Sequence, residues 1–222
     1  MNEETEEALR ITAILWDFGG VFTGSPFHTV NHYAEKLGIP AKSLIQLVLG
    51  YGIPDGDHHW HQLERGEITI SEAARSATKA VEEMGVHNFQ LKDFFASMGG
   101  RNTETDEMFE GVKRYKAMGI KQVILSNNIR EFSDSWKSML PEGLFDGIVD
   151  SSEVGVRKPN PEIFEIALEV TGTTANQTVF LDDYPEHVNI ARSMGMFGID
   201  VGRNPTDALK ELDQILSTTE RL

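Results

Sequence analysis

ITAILWDFGG, residues Ile11–Gly20, is a run of apolar side chains that ends in an aspartate and, one residue on, two glycines. A run this short, apolar at successive positions rather than alternate ones, reads as a strand buried on both faces. The same form returns in KQVILS (Lys121–Ser126), followed by two asparagines, and in TVFLDD (Thr178–Asp183). FDGIVD (Phe145–Asp150) and MFGIDVG (Met196–Gly202) are two further strand candidates. Helical patterns lie among them at Thr105–Met118, Pro161–Val170, Glu186–Met194 and Asp207–Leu216. Pro161 suits a first helical turn, and Gly119 and Gly195 stand where helices should stop. Strands that alternate with helices imply a parallel sheet with helices on both faces. The expected fold class is therefore α/β, a Rossmann-like doubly wound sheet.

The stretch from Pro26 to Gly99 breaks this alternation. It has no convincing strand, and helical patterns appear at Phe27–Leu37, Lys42–Leu49, Asp57–Glu64, Ser71–Met84 and near Asn88–Ser97. It reads as an all-helical cap inserted after the first strand, with hinges at Gly24-Ser25-Pro26 and Gly99-Gly100. The expected division is 1–25 with 100–222 as the α/β core and 26–99 as the cap.

Composition narrows the function. The chain has 222 residues, 40% of them hydrophobic and 25% charged, enough for a packed core. Its net charge of −15 opposes binding to nucleic acid or to an anionic membrane surface. There is no cysteine, which excludes disulfides, thiolate metal sites and cysteine nucleophiles and fits a cytoplasmic protein. No run approaches the roughly 18 apolar residues of a membrane span. The acidic N-terminus, MNEETEEALR, does not resemble a signal peptide and reads as a solvated leader.

In an open parallel sheet, ligands bind at the carboxyl edge of the strands. Asp17 ends the first strand, Ser126 and Asn127 the second, and Asp182 and Asp183 a later one, while Lys158 lies in the loop RKPNP before a helix. Singly, each has an ordinary explanation: a cap, a turn or a solvated side chain. Together they place three carboxylates, a hydroxyl, an amide and an ammonium at one edge.

These segments resemble the motifs of the haloacid dehalogenase superfamily along the whole chain. WDFGGVFTG (Trp16–Gly24) is similar to its first motif, VILSNN (Val123–Asn128) to its second, VGVRKPNPEIF (Val154–Phe164) to its third and FLDDYPEHVNIAR (Phe180–Arg192) to its fourth. The flavour is that of the phosphatase-type N-terminal domain of soluble epoxide hydrolases, whose cap WHQLERGEITISEA (Trp60–Ala73) also resembles. The resemblance implies a magnesium-dependent hydrolase acting on a small phosphorylated substrate. Asp17 would be the nucleophile and form an aspartyl-phosphate. Ser126 would bind a phosphoryl oxygen with Asn127 beside it, and Lys158 would neutralise charge and hold Asp17. Mg2+ would be bound by Asp17, Asp183 and the carbonyl of Gly19, with Asp182 in support. A hard cation and a lysine remove the repulsion between carboxylate and phosphate.

Two positions depart from the family pattern. Gly19 stands where an acid/base aspartate is usual, and His187 where the fourth motif often has Asn or Asp. His28 or His187 could serve as a substitute base. Glycine at 19 could also reflect a positive backbone dihedral. In the cap, Asp57, His58, His59 and His61 crowd around Trp60; a solvated surface or a substrate-facing one is expected there in preference to a metal site, since adjacent histidines share a helix face poorly. Phe22, Phe27, Trp136 and Phe164 look like packing. Two other functions compete. A 2-haloacid dehalogenase would need no metal, and Asp182-Asp183 opposes it; a non-catalytic binding protein on the same scaffold has Gly19 as its support.

Overall fold

The computed structural model of the protein describes residues 10–25, 30–97, 103–202 and 204–219. The acidic leader 1–9, Pro26, Phe27, His28 and the Gly99-Gly100 hinge lie outside the described residues.

Five strands form one sheet: β1 (Ala13–Trp16), β2 (Lys121–Ser126), β3 (Gly147–Asp150), β4 (Thr178–Asp182) and β5 (Phe197–Asp200). All four pairings are parallel, in the order β3-β2-β1-β4-β5, so the first strand is central. The chain winds outward from β1 in both directions, as the sequence pattern requires. The pleat sorts the side chains. Ile14 and Trp16 join Ile124, Val179 and Leu181 in one apolar cluster. Leu15 joins Val123, Leu125 and Phe180 in another on the opposite face. This is why the strand sequences are apolar at every position and not at alternate ones.

Helices cover both faces. The first cluster is closed by α6 (Thr103–Ala117) and α11 (Pro205–Thr219), through Met108, Phe109, Val112, Tyr115, Leu209, Leu212 and Leu216. The second is closed by α9 (Pro161–Thr171) through Ile163, Phe164 and Ala167, and by α10 (Pro185–Ser193) through Ala191. Asn160 caps α9 by accepting from the Glu162 amide, and Pro161 occupies its first turn. Gly119 and Gly195 adopt φ of 80° and 93° after their helices, as expected of left-handed stops. Phe22, Trp136 and Phe164 are buried, as their sequence context suggests.

Five further described helices lie between β1 and α6: α1 (Asn31–Leu37), α2 (Ala41–Leu49), α3 (His59–Glu64), α4 (Ile70–Glu82) and α5 (Leu91–Ser97). They share their own apolar cluster, built on Leu44, Val48, Trp60, Leu63, Ala77, Val81, Phe89 and Phe94, and Ile129 from the loop after β2 joins it. Thr69 and Glu72 form a capping box at the start of α4. Two short helices, α7 (Ser133–Lys137) and α8 (Ser151–Val154), are absent from the sequence reading; each is under two turns and carries no periodic signal. No described helix is long and apolar enough to cross a membrane.

A buried ion network ties the inserted helices to the sheet. Arg157 donates from Nε to Glu64 Oε2 (2.6 Å) and from an Nη to Asp55 Oδ1 (3.1 Å). Trp60 Nε1 donates to the other oxygen of Glu64 (2.9 Å), and Arg65 also reaches Asp55 (2.8 Å). Arg157 and Glu64 are both buried. Removing one partner of such a pair leaves an uncompensated charge. Glu64→Ala should therefore cost about 3–5 kcal/mol in urea unfolding, and Arg157→Met on that background should recover much of the loss. A loss under about 1 kcal/mol for the single variant would show that the pair does not hold the two parts together.

Candidate active site

The parallel register brings the polar strand ends to one edge. Trp16 pairs with Ile124 on one side and with Leu181 on the other, so the next residue, Asp17, lies beside Leu125 and Asp182. The Asp17 amide continues the ladder by donating to the Leu181 carbonyl (2.8 Å). Asp17, Asp182 and Asp183 each offer a carboxylate oxygen, and these oxygens lie within 4.8 Å of one another.

Lys158 sits in the middle. Its Nζ donates to Asp17 Oδ1 (2.8 Å) and Asp182 Oδ2 (2.6 Å) and lies 5.3 Å from the centre of the Phe180 ring. The lysine is fully buried. Burial alone would favour loss of its proton, but Asp17 and Asp182 outweigh this and hold it charged. The Asn127 side chain fixes the lysine's backbone, accepting from the Lys158 amide (2.8 Å) and donating to its carbonyl (2.9 Å). Both ends of that amide are thus engaged, which gives Asn127 a positioning task. Ser126 is buried at the end of β2, its hydroxyl directed weakly at the Asn127 carbonyl (3.4 Å).

The two adjacent aspartates differ. Asp182 accepts from Lys158, from the Tyr184 amide (2.8 Å) and from His187 Nδ1 (3.0 Å). Burial would raise its pKa, but Lys158 and then His187 hold it at about 2. Asp183 is bonded by the Ser25 hydroxyl, while its Oδ2 is shielded from solvent and accepts no hydrogen bond. Burial, followed by the charges of Asp182 and Asp17, pushes Asp183 well above the usual carboxylate range. Asp17 is pushed up to about 7, by burial first and with Lys158 opposing. Three carboxylates facing one ammonium leave an excess of negative charge, and an unpartnered buried oxygen faces into it. That donor set suits a small hard cation.

Other residues answer the remaining expectations. His187 is buried and bound through Nδ1 to Asp182; facing an ionised carboxylate, that nitrogen carries the proton. Burial lowers the pKa of His187 despite Asp182. The histidines near Trp60 are not a fully solvated surface: His58 and His59 are half-buried. His61 is buried against the Gly50 carbonyl (3.2 Å), and His58 Nδ1 accepts from the Trp60 amide (3.1 Å) to start α3. They serve the turn after α2, and among the described residues no metal-binding group includes them. The residues missed in the sequence are Arg157, Glu64 and Tyr184. Arg157 beside Lys158 was the available signal; the rest depend on how the insertion docks. The Tyr51 and Tyr184 rings meet at 4.6 Å, and Gly52 donates its amide to the Tyr184 hydroxyl (3.1 Å). Burial and then the charges of Glu64, Asp183, Asp17 and Asp182 keep the Tyr51 phenol protonated.

The family model for haloacid dehalogenase-like hydrolases matches residues 11–195. The chain belongs to the haloacid dehalogenase-like hydrolases. Bifunctional epoxide hydrolase 2 of Rattus norvegicus is 29% identical over 95% of the chain, which spans 39% of that relative's length. The sesquiterpene phosphatase astK of Aspergillus oryzae is 27% identical over 89% of the chain and 91% of its own length. Among solved structures, a dehalogenase matches with a TM-score of 0.63 at 18% identity, covering 95% of this chain and 98% of its own. A haloacid dehalogenase family enzyme of Bacteroides thetaiotaomicron in complex with magnesium matches with a TM-score of 0.58 at 21% identity, covering 86% of this chain and 92% of its own. At these identities the two structural likenesses bear on the fold alone.

Two glycines next to Asp17 play different parts in this hydrolase. A Cβ on Gly19 would meet nothing nearer than Asp17 Oδ2 at 3.9 Å, and its φ is not left-handed. The alternative that a positive dihedral requires glycine at 19 is therefore wrong; that constraint falls on Gly20, whose φ is 73°. A Cβ at 20 would overlap the Asp183 carboxylate. Gly19→Ala should then leave the melting temperature nearly unchanged, whereas Gly20→Ala should lower stability by at least about 1 kcal/mol. Equal melting temperatures for the two variants would contradict this assignment.

Proposed function

We propose that this hydrolase is a magnesium-dependent phosphatase of small phosphate esters, with 1–25 and 100–222 as its catalytic core and 26–99 as a cap. The observation that carries the reading is the three-carboxylate cluster around Lys158, with Asp183 Oδ2 left without a partner. Asp17, Asp183 and the Gly19 carbonyl would hold Mg2+, which when bound supplies positive charge against the phosphate oxygens. Asp17 attacks phosphorus, the bond to the leaving oxygen breaks, and the electron pair leaves with that oxygen. Water then attacks phosphorus, and the phosphorus–aspartate bond breaks to return the carboxylate. Lys158 keeps Asp17 oriented and offsets charge throughout. Ser126 lines the place of a phosphoryl oxygen. Asp182 anchors Lys158 and His187, and Asn127 anchors the Lys158 backbone. The relatives' names favour this activity in part: one is called a sesquiterpene phosphatase.

Dehalogenation is the second reading, prompted by the structural likeness to a dehalogenase. That chemistry needs no cation, and a cluster of three carboxylates facing one lysine is unsuited to it.

Gly19 brings no acid to the leaving oxygen. His187 is held by Asp182 through Nδ1, which leaves its buried Nε2 without a hydrogen-bond partner and as the candidate substitute base. General acid help is worth about 10²–10⁴ in rate. Aryl and acyl phosphates, which leave as stable anions, should therefore turn over faster than alkyl phosphates by a factor in that range, with a burst of product on rapid mixing. Equal steady rates without a burst would mean that another group supplies the proton.

The pKa shifts give a second test that does not depend on turnover. Asp17, raised from 3.8 to about 7, favours the metal-free fold below 3.8 and loses that contribution as pH rises through 7. Asp182, held at about 2, contributes fully above 3.8 and loses its contribution only as pH falls through 2. Between these limits Asp183, raised for the same reason, adds a trend of the same sign, while histidines lowered by burial, His187 among them, add one of opposite sign; a bound cation reverses the carboxylate trend. Saturating MgCl2 should therefore raise the melting temperature more at pH 8 than at pH 5.5, and Asp183→Ala should remove the effect more completely than Asp182→Ala removes it. A shift independent of pH would contradict metal binding through Asp17.

A further inference from the structure

A cavity of about 490 Å³ opens where the inserted helices meet the sheet edge. Its lining includes Asn31 of α1, Ala41, Lys42 and Ile45 of α2, the turn Tyr51-Gly52, and Tyr184. Tyr184 follows Asp183 directly in the chain, so the cavity begins one residue from the acid cluster. Tyr51 links the two: it lines the cavity, its ring centre lies 6.5 Å from that of His187, which is bound to Asp182, and its hydroxyl lies in the field of Asp183, Asp17 and Asp182. Two other cavities, of about 430 and 420 Å³, are walled by the inserted helices alone and contain no residue from the sheet edge.

The lining has a definite chemistry. Tyr51 and Tyr184 meet edge to face at 63°, which makes an aromatic wall, and the Gly52–Tyr184 hydrogen bond fixes it. Ala41 and Ile45 add apolar surface to the lining. The cavity lies in the range of small-molecule pockets, about 300–1,000 Å³, and is far larger than a phosphate requires. One charged side chain borders it, Lys42, which is exposed and pairs with no acid among the described residues. In a chain with 35 acidic and 20 basic side chains, a lysine that keeps clear of carboxylates at a cavity mouth is placed to receive an anion from outside.

We infer that this cavity seats the organic part of the substrate, and that this part is an apolar ring system bearing an acidic substituent, which Lys42 reads. The inference rests on the phosphatase reading and names the class of ester. Its terms are geometric. The phosphoryl group lies at Asp17, the ring passes the Tyr51–Tyr184 wall, and the acidic substituent reaches the mouth beside α2.

Three probes test it on the full chain with Mg2+: acetyl phosphate, which has no ring to seat, 2-naphthyl phosphate, and 6-carboxy-2-naphthyl phosphate. Ala41→Trp fills the cavity. It should lower the ratio of kcat/KM for naphthyl over acetyl phosphate by about tenfold, mainly through KM. Lys42→Glu, at an exposed position, should lower the ratio for carboxynaphthyl over naphthyl phosphate by about threefold or more. Unchanged ratios in both variants overturn the inference, whatever the absolute rates. If the wild type hydrolyses none of the three, the phosphatase reading fails instead. Direct binding of 6-carboxy-2-naphthol, followed by its own fluorescence, then decides about the cavity. Weaker binding to both variants than to wild type supports the inference, and equal binding or none overturns it.

Discussion

A single buried ammonium organises this protein. Lys158 has no access to water, and it is stable there because Asp17 and Asp182 lie 2.8 and 2.6 Å from its Nζ. The dependence is mutual. Two carboxylates this close would repel each other in a low-dielectric site without a cation between them. Each element of the fold contributes to that geometry. β1 and β4 are neighbours, which brings Asp17 and Asp182 to one edge. Asn127 at the end of β2 grips the Lys158 backbone from the other side. Arg157, next in the chain, is bound by Glu64 of the inserted helices. The loop carrying the lysine is thus fixed by the sheet on one side and by the insertion on the other.

The same constraint explains the division between the adjacent aspartates. Asp182 is saturated by Lys158, His187 and a backbone amide, so it is a fixed anion that can do no more than hold its partners. Asp183 faces the cluster with an unpartnered oxygen. A chain of net charge −15 would have to concentrate positive charge locally to handle the phosphate esters proposed for it. On the phosphatase reading, one lysine is too little for three carboxylates and a phosphate, and a divalent cation would make up the difference.

Much of this was legible in the sequence. Short apolar runs closed by Asp17, Ser126 and Asp182-Asp183 announced a parallel sheet, because strands buried on both faces leave no polar alternation and place their polar residues at the ends. The capping box at Thr69 and Pro161 at a first helical turn were equally local signals. What could not be read was docking. That Asn127 holds Lys158 across 31 residues and that Glu64 finds Arg157 across 93 depend on contacts distant in sequence. The histidines near Trp60 misled for a related reason. A polar cluster normally implies a wet surface, but His61 is buried because it closes the turn at Gly50. Gly19 and Gly20 are indistinguishable on paper, and only the backbone reveals that the left-handed constraint falls on the second.

The central claim is that Asp17 carries the phosphoryl group during turnover. Mass analysis of peptides from protein mixed with Mg2+ and an aryl phosphate, then quenched in acid within a single turnover, tests it directly. The account predicts one phosphoryl adduct, on the peptide containing Asp17, absent from the same peptide of Asp17→Asn. Turnover with no adduct on that peptide, or an adduct on another residue, would contradict it.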